Sequence, residues 1–316
     1  MTVAIDSVFA PAGPVAQAIA DLGLVLVVGA AAVFTIVIAA LVRALRHRGA
    51  RDIDDGGRIA RHWIVGGGIV FPVLVLTALL VHASLHIERP TALRDSDALV
   101  ITVKGKLWWW ELHYRDPASG AVVVVANERH IPVGRPVRLA LVSDDVIHSL
   151  WLPALAGKAD LVPGRVTHLR LQADRAGVFR GPCAEYCGDQ HARMVLTAVA
   201  QEAGDFDRWL ARQANAAVVP AGRADLGRGL AVFAELRRLV CHEVRGLTGG
   251  LAFGPDLTHL AGRLHLAAGT LPMGRDALAA WIADPQRIKP GARMPAYGAI
   301  DPAAMRSLVA FLMALE

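Results

Sequence analysis

Two stretches near the N-terminus break the usual mixture of apolar and polar positions. Leu22 to Val42 carries no charge and no proline. Trp63 to Val81 repeats the pattern, with Gly66, Gly67 and Gly68 near one end and Pro72 inside. Each run is about the length needed to cross a ~30 Å hydrocarbon core. Glycine and proline are tolerated in membrane helices, and a glycine face lets another helix approach closely. The runs therefore predict two membrane spans rather than two buried core helices. Between them lie Arg43, Arg46, Arg48, Arg51, Arg58 and Arg61. By the positive-inside rule that loop is cytoplasmic, so both termini and everything from about His86 onward lie on the outer face. Residues 1–20, with Pro11, Gly13 and Pro14, are expected to form a short arm on that face. Asp6, Asp21 and the missing basic start argue against a simple signal peptide.

From Ala98 the pattern changes to short strand-like runs. Leu99 to Val103, Trp108 to Tyr114, Ala121 to Ala126, Val137 to Val142 and Val166 to Gln172 are separated by turn signals such as Asp116-Pro117, Ser119-Gly120 and Pro163-Gly164. Short strands at this spacing, with no amphipathic helix between them, predict a β-sandwich or barrel. Beyond Glu202 the chain is alanine-rich and polar, with a short helix around Phe206 to Ala214 and a break at residues 219–222. Helical spacing returns over Gly227 to Val240, Asp276 to Asp284 and Pro302 to Leu315, and His259 and His265 read as helix-face residues. The resulting division is an arm and two-helix anchor over 1–86, a β domain over 87–203, a linker over 204–225 and an α domain over 226–316.

Composition supports a membrane portion: 54% of the 316 residues are hydrophobic, and mean hydropathy is +0.41. The net charge of +5 is spread along the chain, which argues against a nucleic-acid partner. Three cysteines are too few for a disulfide framework, leaving Cys183, Cys187 and Cys241 to be explained singly. Cys183 and Cys187 share a short stretch with Glu185, His191 and Met194. Thiolates suit copper, zinc and iron–sulfur clusters, and an added imidazole and thioether narrow the choice towards copper. Two cysteines four residues apart can each bridge two metals, with His191 and a second imidazole as terminal ligands. His148, at the end of a strand run, is the best candidate for the second. A Cys183–Cys187 disulfide is the simpler alternative for the two thiols alone. A thiol–disulfide oxidoreductase would need a βαβ pattern that is missing.

Residues 1 to about 203 resemble subunit II of the haem–copper cytochrome c oxidases. The resemblance is carried by the two-span anchor, the Trp108-Trp109-Trp110 triplet, His130 to Gly134, Val146 to Ser149, Pro153 to Lys158, Pro163 to Arg165 and the Cys183 to Met194 loop. It implies a cupredoxin-like Greek-key barrel holding the binuclear copper centre called CuA. In that reading Cys183 and Cys187 bridge two coppers, His148 and His191 are imidazole ligands, Met194 is the weak thioether ligand and Glu185 coordinates through its backbone carbonyl. The Glu185 side chain would help hold magnesium at the contact with subunit I, and electrons would enter at Trp108. Where the family often has His-Gln before that tryptophan, this chain has Lys106-Leu107. The implied partners are subunits I and III, cytochrome c and a bacterial inner membrane. The implied role is electron transfer to the haem of subunit I, where oxygen is reduced to water with proton pumping. The alternative is a docking subunit with degenerate cofactor sites.

The last ninety or so residues resemble a class I c-type cytochrome fused to subunit II, as in caa-type oxidases. That family attaches haem through Cys-x-x-Cys-His. Here Cys241 and His242 match its end, and Met294, followed by Pro295, matches the distal ligand, with Met273 a weaker alternative. Position 238, where the first cysteine belongs, is Arg238. The resemblance thus implies either a haem c held by one thioether, with His242 and Met294 as axial ligands, or a domain that has lost its haem.

Overall fold

The computed structural model describes residues 6–46, 53–91, 98–117, 119–219, 223–236, 241–248 and 253–316. The chain divides into two units, Gln17–Leu93 on one hand and Met1–Ala16 with Arg94–Glu316 on the other.

The first unit is helical. Helix α1 spans Pro14–Arg46 and ends on Arg43 and Arg46, cations placed where the carbonyl end of the helix dipole favours them. Pro14 opens it because the first helical turn needs no N–H from that position. Residues 14–20, expected as arm, are therefore helix. The second rod is α2, Ile53–His62, a π-helical segment Trp63–Val70, and α3, Phe71–Thr91. The wide turns fall beside Pro72, which cannot donate to Gly68 and would crowd its carbonyl; widening the turn before it relieves the clash. Pro14–Arg46 and Gly57–Leu85 are each long and apolar enough to cross a membrane. Leu24, Val27, Phe34, Leu74, Leu76 and Leu80 are all exposed, an apolar surface that water would not tolerate. Arg48 and Arg51, on which the loop orientation partly rests, lie outside the described residues.

The β domain holds two main sheets. One has the order β3-β2-β1-β5-β8, built from Val122–Ala126, Trp109–Arg115, Leu99–Lys106, Val137–Ser143 and Thr167–Leu171. The other is β4-β10-β9, from Glu128–Pro132, Val195–Gln201 and Gly177–Pro182, and a hairpin of β6, His148–Trp151, and β7, Lys158–Leu161, closes one end. Strand β1 runs parallel to β5 (Ile101 opposite Leu139), and β10 runs parallel to β4. These crossovers make the arrangement a cupredoxin-like sandwich rather than a simple meander. Alternation along β1 and β5 buries Ile101, Val103, Leu139 and Leu141 between the sheets, with Leu112, Tyr114, Phe179 and Leu196. The Tyr114 hydroxyl donates to the His130 carbonyl and accepts from its N–H, both at 3.0 Å, pinning β2 to β4.

Helix α4, Ala203–Ala214, falls within the stretch expected as linker, yet its Phe206, Trp209 and Leu210 belong to the barrel core. Trp209 stacks on His130 at 4.1 Å between ring centres. The expected break over 219–222 lies, except for Val219, outside the described residues.

The C-terminal domain packs α5, Ala224–Glu235, across α8, Pro302–Leu312, with α6, Arg275–Ala283, and the short α7, Pro285–Ile288, beside them. Gly229 permits the α5–α8 crossing, since a β-carbon there would lie 2.2 Å from the Ser307 carbonyl oxygen. Asp301 caps α8 through the amides of Ala303 and Ala304, worth about 1 kcal/mol. His259 and His265 are not on helices. His259 is buried in a turn between the Glu316 and Asn215 carbonyls, and His265 opens the two-residue strand β11, His265–Leu266, paired with β12, Leu271–Pro272. Gly262 and the Ala267 to Gly269 turn break the helical spacing that suggested otherwise.

Candidate metal centre and adjoining cavity

The loop from Cys183 to Met194 joins β9 to β10, which pair antiparallel with Pro182 opposite Val195. Both ends of the loop are therefore fixed by the sheet, and the Cys183 amide donates to the Met194 carbonyl at 2.9 Å across its base. Its outer edge is laced to β6: the Ala184 amide donates to the Ser149 carbonyl, and Leu150 bridges Cys183. His148 thereby arrives from another part of the chain. Its ring seats against Gly105, where a β-carbon would come 2.6 Å from Cδ2.

Among the described residues, His148, Cys183 and Cys187 form a group whose ligand atoms all lie within 4.8 Å of one another, and all three are buried. The two sulfurs are 3.9 Å apart and both thiols are free, which overturns the disulfide alternative. Cys187 Sγ is 3.6 Å from His191 Nδ1 and 3.8 Å from Met194 Sδ. Cys183 Sγ lies 3.3 Å from the Glu185 carbonyl oxygen. All six residues expected as ligands thus converge. The arrangement also fits a soft cation in detail. His148 Nε2 donates to Asp145 Oδ1 at 2.8 Å, which leaves the lone pair on Nδ1. That Nδ1 is buried and makes no hydrogen bond, a costly state unless a metal completes it. Burial disfavours charge on His148, but Asp145 and the Cys183 thiolate together outweigh it and raise its pKa to about 9, so a metal at Nδ1 would displace a proton from the ring as well. The hydrogen bond from Cys187 holds the Cys183 thiol down, while Cys183 pushes Cys187 up. The pair gives up its first proton readily and its second reluctantly, so a cation must displace that second proton to bind both.

Sequence reasoning did not find Asp145. Its signal was available, a carboxylate three residues before a candidate ligand. Asp145 also accepts from the Leu107 amide at 2.8 Å, tying the ligand's support to the tryptophan turn. Trp108 donates from Nε1 to the Cys187 carbonyl at 2.8 Å and lies against Gly188, which adopts a φ of 108°. An indole is thus hydrogen-bonded directly to the ligand loop. Glu185 is half-buried and Tyr186 exposed, both at the outer rim of the loop.

A cavity of about 670 Å³ lies between the barrel and the C-terminal domain. Cys241, His242 and Met294 line it on one side, with Leu257, Leu278 and Trp281, and Trp108 and Asp145 line it on the other. Met273 does not line it. His242 Nδ1 donates to the Pro255 carbonyl at 2.8 Å, which places the ring's lone pair on Nε2. A β-carbon at Gly254 would meet the ring's Cε1 at 2.5 Å, so glycine is needed for the ring's seat. Arg238 lies outside the described residues. A largely apolar cavity faced by an imidazole of fixed tautomer, a thioether and a cysteine fits a haem.

The fold and the sulfur–imidazole cluster together define a membrane-anchored copper-type electron-transfer protein with an attached cytochrome-like domain. Two family models match in the same order: "Cytochrome C oxidase subunit II, periplasmic domain" over residues 117–201 and "Cytochrome c" over residues 228–316. The cytochrome c oxidase subunit 2 of Alkalihalophilus pseudofirmus is 34% identical over 314 residues, covering 97% of this chain and 90% of that protein. That of Bacillus sp. PS3 is 30% identical over 233 residues, covering 71% of this chain and 64% of its own length. The periplasmic domain of subunit II from Bradyrhizobium japonicum is 30% identical over 38% of this chain and 96% of its own, with a TM-score of 0.35. The chain belongs to the cytochrome c oxidase subunit 2 family, in the variant that carries a fused C-terminal cytochrome c domain, and is a component of an oxidoreductase.

Proposed function

We propose that the chain receives electrons at a binuclear copper centre held by His148, Cys183, Glu185, Cys187, His191 and Met194. From there they pass to the haem of a partner subunit I, which reduces oxygen to water with proton pumping. The observation that carries the reading is the convergence of those six residues, with the buried Nδ1 of His148 turned to the same point, beside an indole bonded to the ligand loop. A bound copper pair supplies one-electron chemistry in which both thiolates share the charge. The chain's own task is to keep the donors still. The β9–β10 pairing, the Ser149 and Met194 carbonyl bonds and Asp145 do that, so little rearrangement accompanies a change of charge. Trp108 is the point where electrons enter. Glu185, at the rim, holds magnesium against subunit I, and subunit III and cytochrome c complete the set of partners. The anchor lies in a bacterial inner membrane with both termini outside.

In the C-terminal domain, His242 and Met294 would hold the iron of a haem c, and Cys241 would supply its single thioether, giving a second one-electron centre. Arg238 favours a second reading for this domain alone, in which no haem is attached. Metal analysis and spectra of the purified full chain test both centres. Two coppers per chain with a mixed-valence EPR signal are expected, and one copper or none overturns the copper reading. A haem retained through acid–acetone extraction is expected, and its absence overturns the thioether.

A further inference from the structure

Lys289 follows α7 in the C-terminal domain, yet its side chain ends in the barrel. Nζ donates to the carbonyls of Trp108 and Arg193, both at 2.8 Å, and to that of Ala267 at 3.2 Å. The residue is only 4% exposed. An ammonium has three donors and no acceptor, and here three carbonyls meet it without a carboxylate. Taking a lysine out of water is expensive unless every donor is used. Two of the three acceptors, and the two shorter bonds, belong to the barrel. The ammonium therefore has its full set of protein acceptors only while the domains are docked. A role internal to the C-terminal domain would be served by the Ala267 bond alone, the longest of the three.

The surrounding contacts describe a fixed seat rather than a passing encounter. The Leu264 amide donates to Glu128 Oε2 at 2.7 Å, and the Val195 amide to the Ala268 carbonyl at 3.1 Å. Arg193 donates to the Ile288 carbonyl. Gly269, at a φ of 78°, leaves room for Val195, where a β-carbon would lie 2.8 Å away. Gly291 lies over the Trp108 ring, with its missing β-carbon 3.5 Å from Cη2. Trp108 is thus held between Gly188 of the ligand loop and Gly291 of the C-terminal domain.

We propose that Lys289 is a positioning residue that seats the C-terminal domain on the barrel over Trp108 and so reserves that face for this domain. A separate electron donor then meets the C-terminal domain instead of Trp108. That Trp108 is where electrons enter rests on the functional reading above; the seating itself does not.

The test uses the full chain in detergent, followed by amide hydrogen exchange. In Lys289→Met the amides of Val195 and Leu264, whose bonds cross the interface, should exchange about tenfold faster or more. Amides within β1, β5, α5 and α8 should keep their protection. Arg193→Ala, at an exposed side chain, should loosen the same two amides to a smaller degree, and it serves as the test if Lys289→Met fails to fold. A second readout is the reduction of copper by added soluble cytochrome c, which should speed up in Lys289→Met with an unchanged copper EPR signal. Unchanged exchange at Val195 and Leu264 overturns the proposal. So does an equal loss of protection in the α5 and α8 core, which would mark Lys289 as a residue of the domain's own fold. The exchange measurement needs neither metal nor haem. A chain without the copper signal would therefore overturn the functional reading and leave the seating result standing.

Discussion

The ligand loop and the cavity beside it show two ways of building a redox site. The loop is defined by its donors. Cys183 and Met194 are joined by a backbone bond at the mouth of a paired hairpin, and sulfur and imidazole atoms already lie 3.6 to 3.9 Å apart. The cavity is defined by what it lacks, a space of about 670 Å³ with His242 and Met294 on its wall. A donor cluster tolerates almost no substitution, because each ligand is chemically distinct. A cavity tolerates more, because its hold on a ligand is spread over many contacts. Gly254 and the Pro255 carbonyl help fix the imidazole there.

The largest effect that separates the two belongs to Cys183→Ser. A hydroxyl is a hard donor that does not deprotonate at neutral pH. The mixed-valence copper signal should vanish while the haem spectrum stays. A variant that keeps the full copper signal would show that the thiolate pair is not the bridge.

Asp145→Asn comes next. It keeps the shape but loses the carboxylate that fixes the His148 tautomer. Loss of such a partner costs about 10–100-fold in metal affinity. Copper titration against a competing chelator should show that drop, with little change in folding. An unchanged affinity would mean that the burial of His148 alone sets its tautomer.

On the cavity side, Gly254→Ala places a methyl group 2.5 Å from the His242 ring, with strain of about 1–3 kcal/mol. The domain should remain folded, and the Met294–iron absorption band should weaken or shift while copper is unaffected. An identical spectrum would show that the ring has freedom to move, and that the cavity is looser than its hydrogen bond implies.

The same contrast explains what was legible in the sequence. Cys183, Cys187, His191 and Met194 lie within one short loop, and their combined chemistry is restrictive enough to be read directly. The strands that alternate, β1 and β5, were equally plain. Others were not: β4 is buried on every residue and so shows no alternation. Helix α4 was legible as a short helix over Phe206 to Ala214, but alanine and charge dominate it and made it read as part of the linker, although Phe206, Trp209 and Leu210 at helical spacing belong to the barrel core. Lys289 was beyond reach, since its barrel partners are 181 and 96 residues away and are backbone carbonyls, which no side-chain pattern encodes.

The smallest effect concerns the charged edge that β2 presents beside the cavity. Glu111 is 6% exposed and accepts from Lys106 at 2.7 Å and from His113 at 2.7 Å. Burial alone would raise its pKa, but hydrogen bonds from His113 and Lys106 overcome that and hold the carboxyl at about 2, below its ordinary 4.5. A carboxyl depressed in the folded state contributes stability that is fully present above its ordinary value. That stability is lost as pH falls from about 4.5 towards 2. Allowing for solvent screening of the lysine, the contribution is about 1–2 kcal/mol. Glu111→Gln should lower barrel stability by that amount at neutral pH, and the acid-unfolding curves of the two proteins should converge near pH 2. Exchange protection in β1 and β2 would report the loss, while α5 and α8 keep theirs, because Glu111 lies on β2 and its hydrogen-bond partners Lys106 and His113 are residues of the barrel. If protection fell equally in both domains, the seat around Lys289 would have to be transmitting barrel stability into the cytochrome domain, and the two redox sites would share a single unfolding unit.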